Sequence, residues 1–578
     1  MRILKSLTVI SISISFIITF LSPLKGSAKN NNTPAHWSLS GTLLAGQFAQ
    51  SIRDIPNAAT YLSSALKRAP NNKDILRRAF ILNIMEGRIQ KARALAARTL
   101  EASPKAQIAN TVLLSVAAKE GRWGDLLARA KTLDPKGLLA FLLPPARGWA
   151  EFASGKKSAA LMALEPLREN KTTVAMFALH TGLMLEHEGK LSEAESHLVK
   201  VFSGAGSGSY KIAKLLGVIY ERQGRKDKAL EIYNAFLAVR PSSNTLQKNI
   251  ERIKTQKKPP VISTLPSDGI AEALFEIASM LYNQASMDTA LLLGQLALYI
   301  KPNFPSALIL VSDIMINEKR YASANQLLKK INQSSVFFKT AQLRVAGNLD
   351  DMGQFDTAIK KLEVLAKKNP TDYLSLFAIG DIFRRHKRWT DAINAYDRAF
   401  SVLGTPKKHH WRYLYTRAIS LERAKIWPRA EIDFLKALEL KPSQPDVLNY
   451  LGYSWIEKGK HLERALEMVK TAVKLRPNSG YIIDSLGWAY YQLEKYNRAI
   501  PELERAVELR SEDPIINDHL GDAYWKVGRK LEAKFQWNHA LALNPEPDLK
   551  KILVQKLNNG LSDESKTVEV EEIGKQAN

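Results

Sequence analysis

Apolar and polar positions return at a fixed interval along this chain. Residues 484–509, DSLGWAYYQLEKYNRAIPELERAVEL, read as two helices joined by a turn, yet Gly487, Ala499 and Ala506 stand where a helix favours larger side chains. The alanine at 499 has counterparts at Ala58, Ala92, Ala160, Ala194, Ala229, Ala290, Ala324, Ala358, Ala392, Ala430, Ala465 and Ala533, and Leu126 fills the gap between Ala92 and Ala160. Ala58 to Ala92, Ala324 to Ala358 and Ala499 to Ala533 are each 34 residues apart. A self-similar period of about 34 residues marks a helical solenoid.

The surroundings of each alanine also repeat. A small residue lies about twelve before it, an apolar or aromatic residue nine before, often glycine five before, and a large apolar residue four after. Antiparallel helices approach closely only where side chains are small, so Gly452, Gly487 and Gly521 on first helices are expected to face Ala465, Ala499 and Ala533 on second helices. Glycines 87, 121, 155, 189, 224, 353, 459 and 528 fall at the interhelix turn, where a positive φ is cheapest for glycine. Prolines 70, 104, 241, 302, 370, 442, 477 and 545 are expected to stop the second helices.

Leu451-Gly452 with Trp455, Leu486-Gly487 with Tyr490, and Leu520-Gly521 with Tyr524 resemble the tetratricopeptide repeat pattern. The resemblance spans nearly the whole mature chain. It implies an all-α fold, a right-handed superhelical α-solenoid of about fourteen tetratricopeptide (TPR) helix-turn-helix units. Such repeats serve many partners, so the pattern by itself names none.

The spacing breaks once. Ala229 and Ala290 are 61 residues apart, 27 more than one period, and the excess falls in a stretch rich in Pro, Ser and Lys. The expected organisation is an N-terminal array at 29–241, a part-helical linker at 242–268, a C-terminal array with closing helix at 269–557, and a polar, acidic, disordered tail at 558–578. Residues 1–28 read as a secretory signal peptide: Arg2 and Lys5, an apolar run from Leu7 to Leu21, then Gly26-Ser27-Ala28 with cleavage after Ala28. The apolar run is shorter than the ~20 residues of a spanning helix, and an uncleaved membrane anchor is the alternative. The absence of cysteine removes disulfides, thiolate metal sites and a lipid-bearing cysteine. With the signal segment it points to the bacterial periplasm.

A formal net charge of +26 makes anionic partners attractive: acidic proteins, lipid headgroups or cell-wall polymers. Nucleic acid is set aside, because the related RNA-reading pentatricopeptide repeats run nearer 35 residues and an export signal argues against it. The densest basic run, FRRHKRW at 383–389, is followed by KKHHWR at 407–412. Asp381 and Arg384 fall toward the inner groove and make a pocket for carboxylate or phosphate conceivable. Inner positions of later first helices, the second, fifth, ninth and twelfth of each unit, hold Arg412, Tyr415, Asn449, Tyr453, Asp484, Trp488, Tyr491, Asp518, Asp522 and Trp525. Aromatic rings beside carboxylates and amides suit capture of an extended peptide.

Repeat domains that hold a partner's terminal carboxylate use Lys and Asn at the fifth and ninth positions of neighbouring units. Here only Asn449 fits, so that activity is not expected. The histidines are scattered, with no HExxH spacing, and the glycine-rich GAGSGS at 204–209 follows no strand. No catalytic residue, cofactor or metal is therefore expected. The final repeat units are similar to envelope repeat proteins of Gram-negative bacteria. One group of these presents substrates to a carboxyl-terminal processing protease. The resemblance implies a periplasmic scaffold holding a protein or peptide, with an envelope protease or cell-wall enzymes as partners. The lipid-bearing cysteine of that group is missing here. The competing reading is a binder of anionic cell wall, lipopolysaccharide or other lipids through the basic surface.

Overall fold

The computed structural model describes residues 38–561, apart from 205–207, 242, 244 and 263. The signal segment expected at 1–28 and residues 562–578 of the expected tail lie outside the described residues. Thirty α-helices and no strand occur among those described. They form fourteen successive helix-turn-helix pairs, joined by two further helices, Gln247–Lys254 and the closing Pro547–Asn559. The closing helix carries two residues past its expected end at 557.

The repeated alanines, and Leu126 in their place, are completely buried, each at 0% exposure. What they border is more specific than one small residue facing another. A Cβ added to Gly487 would stand 2.5 Å from Leu503 Cγ, and one on Gly521 would stand 2.5 Å from Trp537 Cδ1. At Gly452 the obstacle is the carbonyl oxygen of Ala465, 2.9 Å away, with Val469 beside it. The glycine thus makes room for the large residue four places after the alanine, and the alanine lets the backbones close up. Gly217 with Tyr233 and Gly380 with Tyr396 repeat the arrangement.

All eight predicted turn glycines have positive φ, between 62° and 85°. The same left-handed turn is built without glycine at Arg53, Ala285, Lys319, Lys387, Lys425 and Glu494, each five residues before its alanine. At Ala465 one extra residue enters the turn, and both Gly459 and His461 take positive φ. Second helices end two or three residues before each predicted proline, as Ile300 before Pro302 and Leu440 before Pro442 illustrate.

Packing divides the chain at Leu113/Leu114. In the first unit, Gly46 closes on Leu62, and Leu62, Ala79, Phe80 and Ala92 form the buried interior. The second unit holds every pair from Leu138 onward, including both sides of the segment read as a linker. That segment is not a free spacer. Arg252 pairs with Glu221, and Asn249 Nδ2 donates to Tyr233 Oη at 3.3 Å, so the helix Gln247–Lys254 is tied to the preceding pair. The backbone N–H of Ile262 then donates to Glu186 Oε1 at 3.1 Å. The next helix starts at Pro266, three residues before the expected array boundary. At 18 residues, Pro266–Asn283 is longer than its counterparts, and it crosses onto the earlier first helices. Gly269 lies so close to the Trp149 ring that a Cβ there would collide. Glu272 pairs with Lys211 at 2.7 Å and Glu276 meets His180 at 3.1 Å. The inner faces of Leu138–Ala153, Val174–His187 and Tyr210–Arg222 are thereby covered by the chain's own crossing helix and its lead-in.

Candidate functional site

Beyond the crossing helix, inner positions belong to the first helices Tyr373–Arg385, Trp411–Arg423, Pro445–Glu457, Gly480–Gln492 and Pro514–Lys526. Asp381 accepts a hydrogen bond from Tyr396 Oη at 2.6 Å and lies 3.9 Å from Arg384 Nε. Burial raises its carboxyl above the usual range, against Tyr396 and the guanidiniums of Arg384, Arg385 and Arg412. Arg412 is exposed, its guanidinium 5.7 Å from the Trp411 ring. The rest of the basic run is neutralised within the chain. Arg385 pairs with Asp350 and Asp351, His386 with Asp350 at 2.7 Å, and Arg388 with Asp391 at 2.8 Å. An anion pocket built from all of FRRHKRW is thus taken up by the chain's own carboxylates. His410 is buried, its Nδ1 accepting from the Lys407 N–H at 3.0 Å, and burial pulls its imidazole down to about 4.

Tyr415 packs inward, 6.1 Å from the rings of both Phe434 and Tyr450, while Tyr450 Oη donates to Glu422 at 2.9 Å. Asn449 and Tyr453 are half-buried. Burial and the carboxylates of Glu457 and Asp484 push the Tyr453 phenol well up. Trp488 donates its indole N–H to Glu457 at 2.7 Å. Its ring stacks on Tyr491 at 4.6 Å and on His519 at 4.0 Å. Tyr453 and Trp488 thus share Glu457, and Tyr491 stacks on Trp488.

Three carboxylates expected to face a partner do not. Asp484 accepts from His519 Nδ1 at 2.9 Å, and Asp518 and Asp522 each bind Lys556 Nζ at 2.8 Å; all three are buried. Asp522 also accepts from Trp537 Nε1 at 2.9 Å. His519 takes up Asp484, and for the other two the reason is the closing helix, whose Lys556 reaches the last inner face. Trp525 turns the same way: it lies 5.2 Å from Trp537, under Lys530 Nζ at 3.6 Å, and Gly560 packs on it too closely for a Cβ. Tyr415 joins these four as a packing residue. Glu457, His519 and Lys556 are bonded neighbours of these residues that repeat register does not mark, because two sit off the inner positions and one lies beyond the last repeat.

Three consecutive first helices carry a buried polar atom with no hydrogen-bond partner: Arg384 Nε, Arg423 Nη1 and Asn449 Oδ1. Buried polar groups are mostly satisfied in folded proteins; the unmet ones here also include Arg147 Nε, Glu186 Oε2, Glu272 Oε1 and Asn517 Oδ1. An amide oxygen and guanidinium N–H groups are the complement of a peptide backbone and a carboxylate.

Family comparisons match three stretches: a "TPR repeat" model at 487–528 and "Tetratricopeptide repeat" models at 348–401 and 215–243. The TPR repeat-containing protein PA4667 of Pseudomonas aeruginosa is 25% identical over 166 residues, covering 27% of this chain and 26% of that protein. The cytochrome c-type biogenesis protein CycH of Rhizobium meliloti is 33% identical over 131 residues, covering 22% of this chain and 34% of that protein. The matched segments thus span about a quarter to a third of these relatives. Among solved structures, the APC/C hetero-tetramer Cut9-Hcn1 aligns over 91% of this chain and 96% of that one, at 15% identity and a TM-score of 0.39. The 34-residue period, the buried alanines, the left-handed turns and the matched repeat models agree: this chain is a tetratricopeptide-repeat protein, an all-α repeat solenoid of the kind that mediates protein–protein interactions.

Proposed function

We propose that this protein is a periplasmic scaffold that holds an extended protein segment along the inner face of its later repeats and presents it to an envelope protease or cell-wall enzyme. The observation that carries the reading is the pair of unmet polar atoms at the inner positions Arg384 and Asn449. The exposed Arg412 and half-buried Tyr453 and Tyr491 accompany it. The corresponding face of earlier pairs is filled by the chain's own helix, so the later pairs are where a partner has room. A preformed surface loses little entropy on binding, which favours recognition by shape and hydrogen bonding. The export signal in the sequence and the likeness of the last units to envelope repeat proteins support the periplasmic setting.

The test is affinity capture from envelope extract with the intact chain and with an Arg384→Ala, Asn449→Ala variant. Recovery of a protease or its cell-wall hydrolase substrates by the intact chain, reduced in the variant, supports presentation. Recovery of neither discards it. Capture that collapses between low and moderate salt and is indifferent to the two substitutions would assign the binding to the basic surface and anionic polymers.

A further inference from the structure

Where the crossing helix lies over the earlier first helices it leaves a cavity of about 380 Å³. That lies within the ~300–1,000 Å³ usual for small-ligand sites. Phe141, Met176, Phe275 and Met280 provide apolar walls. Its charged groups are two carboxylates, Glu272 and Glu276, and one ammonium, Lys211. Lys211 is committed to Glu272, 2.7 Å away, and lies 5.0 Å from the Phe304 ring centroid.

Glu276 has no such partner. Its Oε2 is 3.1 Å from His180 Nε2, and the other imidazole nitrogen, Nδ1, is 2.9 Å from Trp149 Nε1. An indole nitrogen only donates, so Nδ1 must hold a lone pair and Nε2 the proton. The Trp149 bond thereby aims the Nε2 proton at Glu276. Among the described residues, no lysine or arginine comes within ion-pair distance of Glu276, whose side chain is still 23% exposed. Burial raises its carboxyl above the usual range, against the hydrogen bond from His180 and the more distant charge of Lys211.

We propose that this cavity binds an ammonium group carried on an apolar body, the cation pairing with Glu276 and the body lying against Phe141, Phe275 and the two methionines. Aromatic faces and thioethers are favourable neighbours for such a cation. An anionic ligand would meet an unbalanced carboxylate and is disfavoured. Two carriers share this chemistry, a free aryl- or alkylamine and the lysine side chain of a bound peptide. The site stands apart from the partner-holding face of the later repeats.

The experiment titrates the full chain with 2-phenylethylamine, with uncharged 2-phenylethanol, and with acetyl-Ala-Lys-Ala-amide, read by saturation-transfer NMR and calorimetry. The amine or the peptide should bind, and the alcohol about tenfold more weakly or not at all, as expected for loss of a charge-assisted hydrogen bond. Binding of the amine alone identifies a small-molecule site, and binding of the peptide alone a lysine-reading one. Glu276→Gln keeps an acceptor for His180 and should weaken binding by a similar factor. Met280→Lys should abolish it by placing an ammonium in the cavity, and serves as the independent variant. Equal binding of amine and alcohol, amine or peptide binding that survives both substitutions, or no binding of any probe to the folded chain overturns the proposal.

Discussion

Five residues before each buried alanine of a typical pair, the backbone turns left-handed whatever residue occupies the place. Seven glycines accept this without strain, while six other residues adopt it because the packed helices on either side leave no alternative. Ala285, with φ 61°, has no side chain capable of local compensation. Ala285→Gly should raise stability by about 1 kcal/mol in chemical denaturation; a loss would mean that the methyl group makes a contact worth more than the strain. Where the methyl is the required group, enlarging it should harm. Ala499→Leu is expected to cost about 1–3 kcal/mol by overpacking, and an unchanged melting profile would contradict the fully buried position of Ala499. Glycine turns and proline stops were legible in sequence because those two residues constrain the backbone by their own chemistry. The left-handed Lys387 and Glu494 were not, since tertiary packing imposes a conformation their types do not favour.

Individual helices show why repeat register recognises a face but not its free groups. The inner positions of Gly480–Gln492 and Pro514–Lys526 are read from register as one face, and Lys556 and His519 consume the carboxylates there. Lys556 belongs to no repeat, and His519 stands one place beyond the fifth position of its unit. This cluster also has a pH signature. Burial disfavours charge on His519, but Asp484, Asp518 and Asp522 outweigh it and raise the imidazole above 6.5. Its contribution is therefore complete below the unfolded value and lost as pH rises through the higher folded one. Asp522 is pushed up to about 6 by burial and by Asp518, against the pull of Lys556 and His519. A carboxyl raised in this way also contributes its stability on the acid side and loses it as pH rises through about 6. Both groups predict lower stability to unfolding at about pH 8 than at about pH 6. Chemical denaturation at the two pH values measures this; greater stability at the higher pH would contradict the sign. The helix Pro266–Asn283 makes the same point about legibility. The 61-residue spacing announced an interruption, but not that the next helix folds back over Trp149 and His180. That depends on contacts about a hundred residues apart, such as His180 with Glu276, which no local pattern records.

Across the second unit, the same inner face meets two fates. Early in the unit it is sealed by the chain's own helix, and later Arg412 stays exposed while Arg384 and Asn449 keep unmet polar atoms at inner positions. The net charge of +26 will draw anionic molecules to many parts of the surface, so affinity alone cannot locate the working face. Position-specific contact does. A photo-crosslinking amino acid placed at Arg412, on the inner face, should trap an envelope protein in living cells, whereas the same group at Ile432, 65% exposed on the second helix of that pair, should not. Equal trapping from both positions, or trapping from Ile432 alone, would contradict an inner-face scaffold.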